Sequence, residues 1–527
     1  MEFLTAVGVF GFIVRLAYKL SGLVFLWFRK EYRFDRMAIH LRTKQGMNMW
    51  GGRTHAILAI LLVMWFVFPF RDITVGILSL FLLGIAFSYA RKFRTWMLPP
   101  PSPKVMAILV TTTFLIITLT QTVTFPILVT LSISDLLLFP LTTCIVGLVN
   151  TPVTVYHRWI IAKAKRLLRL HTPMTVIGIT GSYGKTSVKD YLATILSSRY
   201  RILKTDASKN SPIGIAETVL HSLVSDHEAF VVEMGAYKRG EIASMCRMVK
   251  PEIGIITAIN PQHQDLFGSI ETTMKAKYEL VQGLVGKRIV IANADDPKVK
   301  EMGGWAKHDG CNVMWYSKEE NAKHIVSDIS GTRFDCIVGK EAVHVETSVI
   351  GEHQVSNILA AIIAAGSSGM TLKEAAKAAS SIQPASGVME VKKGINGSVF
   401  IDDTFNNNPD AAKAAIAFLS KNKGKKILVF QPMIELGTYA DSSHEEVGAQ
   451  AARVADTIFL TNPNWFPAFE RGVRRVSKTV HLIISSPATS AEYIQMHIKK
   501  GDMVLFKGKD AKHALDLLRS RDGMTDV

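Results

Sequence analysis

The stretch VIGITGSYGKTSVKDYLATIL, Val176–Leu196, decides the fold. An apolar, β-branched run stops at a glycine-rich turn, and a helical pattern follows over 186–197. In the turn, GSYGKT, backbone N–H groups and a helix start would face a polyphosphate. Gly181 and Gly184 allow close approach, with Ser182 between them in the cradle. Lys185 supplies charge to the β- and γ-phosphates, and the Thr186 or Ser187 hydroxyl can hold Mg²⁺. The spacing is shorter than GxxxxGK[ST], because Ile179 stands where the first glycine would be. A plain glycine turn before a helix is the competing reading.

Downstream, β-rich runs alternate with helical patterns. AFVVEMG ends near an acid, Glu233; IGIITAIN and RIVIANADD follow. The alternation predicts α/β units on a parallel sheet, with ligands at the carboxyl ends of the strands. A second unit starts near residue 386, with strands in SVFIDDTFNNNP, KKILVFQPM, DTIFLTN, TVHLII and DMVLFKG.

Upstream, the composition changes. Residues 1–170 carry 19 Lys/Arg against 5 Asp/Glu, and residues 171–527 carry 42 against 39, so the net charge of +17 sits mostly in the first part. A near-neutral second part argues against a nucleic-acid partner. Five apolar stretches lie near 3–27, 56–70, 74–90, 105–123 and 127–150. The second and third are short for a span, which needs about 20 residues. The first contains Arg15 and Lys19, so it reads as a span with snorkelling cations or as an interfacial helix. Basic residues concentrate in 28–55, 91–104 and 158–169, and the turns between hold only Arg71. By the positive-inside rule this predicts a multi-pass protein of the plasma membrane, with its N-terminus outside and its catalytic part cytoplasmic. Residues 156–171, which include HRWIIAKAKRLLRLH, read as a basic linker drawn to anionic headgroups, or as a solvated connecting helix. Four scattered cysteines without a CxxC pair argue against a zinc ribbon or a disulfide framework.

The expected architecture is therefore an α-helical membrane region (1–155), the linker, a P-loop-type ATP-binding α/β domain (172–385) and a Rossmann-like C-terminal α/β domain (386–527).

Several further segments come in order. They are VVEMGAYKRGEIASMCRMVKPEIGIITAINPQHQDLFGSIETTMKAKYEL, IANADDP, GEHQVSNILAAIIAA, FIDDTFNNNPDAAKAA, MIELGTYADSSHEEVG and GDMVLFKGKDAKHALDLL. Over roughly 172–520 the chain resembles the Mur ligases, ATP-dependent enzymes that join a carboxylate to an amine in peptidoglycan assembly. It is most similar to those that add D-alanyl-D-alanine. The resemblance implies ATP and Mg²⁺ as cofactors. It implies Glu233 and His263 as metal ligands beside Thr186, and Lys277 as a carbamylated lysine that also serves the metals; Lys275 is the alternative register. Lys185, Lys277 and His263 would be catalytic. Asn293, His353 and Asn357 would contact the nucleotide, and Asp403 and Asn406 would reach it from the C-terminal domain. Read alone, NNNP is an ordinary Asx-rich turn. Two positions depart from the family. Val388 stands where a hinge arginine is usual, with Lys392 or Lys393 as conceivable substitutes, and Lys509 stands where serine is common. No soluble domain that grips a UDP-sugar is recognisable; the apolar stretches occupy its place.

The expected activity is ADP-forming ligation through an acyl phosphate. The acid would be a UDP- or lipid-linked muramoyl peptide or another carboxylate, and the amine an amino acid or dipeptide. Membrane lipid and other cell-wall enzymes are the further partners. The alternatives are a ligase for another cell-surface polymer or lipid-linked acid, and a non-catalytic membrane scaffold. Lys185→Ala separates these, because only a scaffold would keep its function.

Overall fold

The computed structural model describes residues 2–41, 53–69, 71–91, 98–123, 125–171, 174–206, 209–260, 267, 269–434 and 436–521. Residues 1–159 and 160–527 form two compact units.

The first unit is helical: α1 (Glu2–Arg29), α2 (Phe34–Leu41), α3 (Arg53–Val67), α4 (Arg71–Arg91), α5 (Pro103–Thr122) and the start of α6 (Ile127–Leu170). Each of the five apolar stretches is a helix; α2 is an addition. Ser102 caps α5 by accepting from the Val105 N–H, with Pro103 in the first turn. Gly11 lets α1 approach α4 backbone to backbone, since a Cβ there would lie 2.7 Å from the Leu82 carbonyl carbon. Among the described residues, α1, α5 and α6 are long and apolar enough to cross a membrane. At 15 residues, α3 reaches only about 22 Å, short of a hydrocarbon core of about 30 Å. The snorkelling expected of Arg15 does not occur. Its side chain is 0% exposed and pairs with Asp135 of α6 at 2.8 Å.

The expected linker is no separate element, because α6 runs through it as a 44-residue helix. Its last turns, which belong to the second unit, set Ile160, Ala164 and Leu168 at i, i+4, i+8, and these pack with Val176, Leu203 and Ile215 of the same unit.

The second unit opens on β1 (Thr175–Thr180), α7 (Lys185–Ser197), β2 (Ile202–Lys204), α8 (Pro212–Ser222), β3 (Ala229–Glu233), α9 (Glu241–Val249), β4 (Ile253–Ile256), α10 (Ile270–Gln282), β5 (Ile289–Asn293), α11 (Pro297–His308) and β6 (Asn312–Tyr316). These strands form one sheet in the order β2-β3-β1-β4-β5-β6, and every pairing is parallel. Such strands are buried on both faces, which explains their unbroken apolar runs. Val188, Leu192 and Ile195 of α7 pack on one face; Val219 of α8, Ile242 of α9 and Leu280 of α10 pack on the other. The order reverses around β1, so the turn after β1 opens into the crevice where doubly wound sheets bind ligands.

Next comes an antiparallel sheet that the expected α/β alternation does not contain: β7 (Ala322–Asp328), β8 (Gly331–Val338) and β9 (Glu341–Thr347). Phe334, Cys336 and Val345 attach it to the α7 side of the core. Helices α12 (Gln354–Ser367) and α13 (Leu372–Ala379) follow, the latter opened by a Thr371–Glu374 capping box.

The C-terminal part comprises β10 (Glu390–Lys393), β11 (Val399–Asp403), α14 (Pro409–Leu419), β12 (Lys426–Phe430), α15 (Ala440–Val454), β13 (Thr457–Leu460), α16 (Phe466–Val476), β14 (His481–Ile484), α17 (Pro487–His497), β15 (Met503–Lys507) and α18 (Lys509–Arg521). The sheet order is β10-β11-β15-β12-β13-β14, with only β10 antiparallel. The five strands read from the sequence are all present.

Candidate active site

The turn after β1 is held open by its glycines. Gly181 has φ +153°, and a Cβ on it would lie 1.9 Å from Thr257 Oγ1. Gly184 has φ +80°, and a Cβ there would lie 2.7 Å from Asn357 Oδ1. Only glycine fits both the conformation and the space. Gly184 is also the N-cap of α7 and makes no side-chain cap, so the helix start stays available to an anion. The Ser182 N–H donates to the Ala258 carbonyl at 2.7 Å, which ties the loop to the end of β4.

Lys185 donates to the carbonyls of Gly181 (2.8 Å) and Ser182 (3.2 Å). Lys277, buried on α10, also donates to the Gly181 carbonyl, at 2.9 Å. Lys275 is exposed, whereas Lys277 faces the loop. Burial, and then the neighbouring Lys185 charge, holds the Lys277 ammonium well below its usual pKa. A neutral amine is the form that can take up CO₂ as a carbamate. Burial also lowers Lys185, against the pull of Glu233.

Glu233, at the end of β3, accepts from Thr186 Oγ1 and from Asn210 Nδ2, each at 2.9 Å. A hydroxyl and a carboxylate side by side are the hard oxygen donors Mg²⁺ takes, with phosphate and water completing the shell. Among the described residues, no three His, Cys, Asp or Glu side chains cluster as a metal site. Thr186 and Glu233 therefore fit Mg²⁺ bound with a polyphosphate. His263 lies outside the described residues.

Ser182, Gly184, Lys185, Thr186, Ser187, Asn293, His353, Asn357, Asp403 and Asn406 line one cavity of about 490 Å³. Gly181 is not among the lining residues; its carbonyl accepts from Lys185 and Lys277. Asn293 donates to the Thr257 carbonyl at 2.9 Å. Asn357 donates to Gln354 Oε1 at 2.8 Å. Burial, with Lys507 and Lys318 nearby, lowers the His353 pKa to about 4, so the ring is neutral at ordinary pH. From the C-terminal side, Asp403 accepts from Lys507 Nζ at 2.6 Å, and burial pushes its carboxyl up against that pull.

The expected substitutes for a hinge arginine are not in place. Val388 lines the cavity, but Lys392 is bound to Asp402 at 2.7 Å and Glu390 at 3.3 Å, and Lys393 is exposed. The cations that do line the cavity besides Lys185 are Lys298, Lys318 and Lys507. Sequence reasoning also missed Asp296 and Asp410. Asp296 caps α11, a signal legible in DDP. Asp410 follows the Asn408–Pro409 cap of α14 and accepts from Asn260 Nδ2 at 3.0 Å.

A second cavity of about 370 Å³ shares Ser182, Lys185 and Thr186 with the first. Glu233, Asn210, Tyr237, Gln431 and Lys509 also line it. Lys185 and Thr186 thus line both cavities, the first of them within the usual size range of a small-molecule site.

A phosphate loop, a Thr–Glu oxygen pair and a second α/β domain contributing Asp403 and Lys507 define an ATP-dependent ligase. The Mur ligase middle-domain profile matches residues 179–365, and the Mur ligase glutamate ligase domain profile matches 389–510. The UDP-N-acetylmuramoyl-tripeptide–D-alanyl-D-alanine ligase of Bacillus subtilis (strain 168) is 31% identical over 343 residues, covering 63% of this chain and 72% of the relative. Its counterpart in Escherichia coli (strain K12) is 30% identical, covering 58% and 70%. The structure of MurF ligase from Thermotoga maritima in complex with ADP superposes with a TM-score of 0.62 at 25% identity, covering 69% and 83%. MurF from Acinetobacter baumannii gives a TM-score of 0.63 at 24% identity, covering 69% and 80%, and shares the fold. The chain belongs to the Mur ligase family. Neither domain profile reaches residues 1–178.

Proposed function

We propose that this chain is a membrane-bound, ADP-forming ligase that joins a muramoyl-peptide carboxylate to D-alanyl-D-alanine on the cytoplasmic face of the plasma membrane. The observation that carries it is the pair of cavities sharing Lys185 and Thr186.

Bound ATP and Mg²⁺ would supply the phosphoryl group that activates the carboxylate, and the charge neutralisation that lets it move. The loop N–H groups and Lys185 hold the phosphates. Thr186 and Glu233 hold the metal, with Asn210 and Lys189 (3.8 Å from Glu233) fixing the carboxylate. Lys277 as a carbamate would add an anion beside them, with His263 as the further ligand. Asn293, His353 and Asn357 orient the nucleotide from the central domain, Asp403 and Asn406 from the C-terminal one. Phe405, which lines both cavities, helps keep water from the activated acid.

A second reading has its own support. Lys509 lines the second cavity, where the family commonly has serine, and an apolar helical unit precedes the family domains. Both favour a different amine or a lipid-linked acid. Phosphate release by full-length protein with ATP and Mg²⁺ decides. Dependence on UDP-linked muramoyl tripeptide plus D-alanyl-D-alanine supports the first reading. Dependence on the lipid-linked form supports the second. No release with either acid, while ATP still binds, sinks both for these substrates.

A further inference from the structure

We propose that the helical unit 1–159 holds a binding site for a phosphate group, as carried by an anionic lipid, built on Arg15, Lys19 and His55. The site is independent of the ligase chemistry.

Charges within apolar helices are costly, and by default they mark function. Arg15 and Lys19 are one turn apart on α1 and share one face. Both converge on Asp135 of α6. Arg15 donates through Nε to Oδ1 at 2.9 Å and through Nη2 to Oδ2 at 2.8 Å. Lys19 donates to Oδ2 at 2.9 Å and to the Asp135 carbonyl at 3.3 Å. Among the described residues no other carboxylate pairs with either cation, so the cluster keeps one positive charge in excess.

The hydrogen bonds are unbalanced in the same direction. Lys19 Nζ lies 3.0 Å from His55 Nε2. An ammonium has no lone pair and can only donate, so Nε2 accepts and the ring proton sits on Nδ1. Among the described residues His55 Nδ1 has no partner, and neither has Arg15 Nη1, although the Arg15 side chain is 0% exposed. Two buried donors are thus unmatched, while no Asp135 oxygen is. Leaving a charged donor unmatched is expensive. The complement is an anion with several acceptor oxygens, and phosphate matches the guanidinium fork. A lipid is the source that the surroundings favour: Phe10 and Ile13 of α1 and Ile57 and Ile60 of α3 are exposed, and acyl chains can lie along them.

The test uses full-length protein in dodecyl maltoside, a detergent without phosphate. Binding of dioleoyl phosphatidate and of dioleoylglycerol is measured by native mass spectrometry, with and without inorganic phosphate. Phosphatidate should bind and the diacylglycerol should not. Arg15→Met cancels the excess charge while keeping the Lys19–Asp135 pair, and should weaken phosphatidate at least tenfold. Asp135→Asn doubles the excess and should tighten it severalfold. Opposite shifts separate an anion site from general misfolding, which would weaken both variants. Displacement by inorganic phosphate upholds the phosphate site with a soluble source; no displacement assigns it to lipid. Equal binding of the two lipids, or variants that match the wild type, would overturn the proposal.

Discussion

Among the described residues Lys185 hydrogen-bonds only to carbonyls of its own loop, so the fold should tolerate its loss, whereas the proposed chemistry should not. Lys185→Ala should lower the phosphate-release rate on the order of 10²–10³-fold, as loss of one preorganised charge-stabilising group does, with an unchanged melting curve. A scaffold would show no functional change. His353 gives a pH prediction. Its folded-state pKa is about 4 against the usual 6.5, so the unfolded chain takes up the proton first. Its contribution to stability is complete above 6.5 and is lost as pH falls toward 4. That loss is on the order of 1–2 kcal/mol for a ring that solvent partly reaches. His353→Asn should remove this slope, read as the difference in urea midpoint between pH 7.5 and about 5. At this scale the sequence was uneven. Lys185 and Thr186 follow from local spacing. Lys277, 92 positions further on, reaches the Gly181 carbonyl only because β1 and α10 fold together, and no local pattern announces that.

At the scale of elements, the strand ends carry the site. Asp403 closes β11 and Lys507 closes β15, and the parallel register sets them side by side. Both are buried, at 5% and 1% exposure. Asp403→Asn leaves Lys507 as a buried cation without its partner, which should cost about 3–5 kcal/mol. The double variant Asp403→Leu, Lys507→Met should recover part of that stability while abolishing activity; urea denaturation and phosphate release read the two effects separately. Nine of the eleven parallel strands were legible because apolar runs buried on both faces stand out against amphipathic helices. The β7–β9 sheet was not. Its strands alternate between buried and exposed residues, and an exposed run such as Lys323–His324 gives little apolar signal. Nor was the fusion of linker and last apolar helix into α6, since Pro152 reads as a break but sits within the helix.

For the whole molecule, three spans and five spans place the catalytic unit on the same side. If α1, α5 and α6 alone cross, α1 leads in, α5 leads out and α6 leads in again. Adding α3 and α4 inserts one excursion and leaves the ends unchanged. Both arrangements put the basic segments 28–55, 91–104 and 158–169 inside, as the positive-inside rule asks. They differ at one place, the turn between α3 and α4. There Asp72 is exposed. In the five-span form it faces outside; in the three-span form it stays inside. The 15 residues of α3 would need flanking residues or local thinning to span, a modest cost per ångström. Arg71, the only cation of that turn, is too little to hold it inside. Five spans are therefore expected. In a background without Cys144, Cys246, Cys311 and Cys336, Asp72→Cys should react with a membrane-impermeant maleimide on intact cells. Labelling only after permeabilisation would mean that α3 and α4 enter and leave from the cytoplasmic side. Protease added to inverted vesicles should remove residues 172–527 in either case, because ATP must reach Lys185 from the cytoplasm; resistance there, with cleavage on intact cells, would reverse the topology and with it the ligase reading.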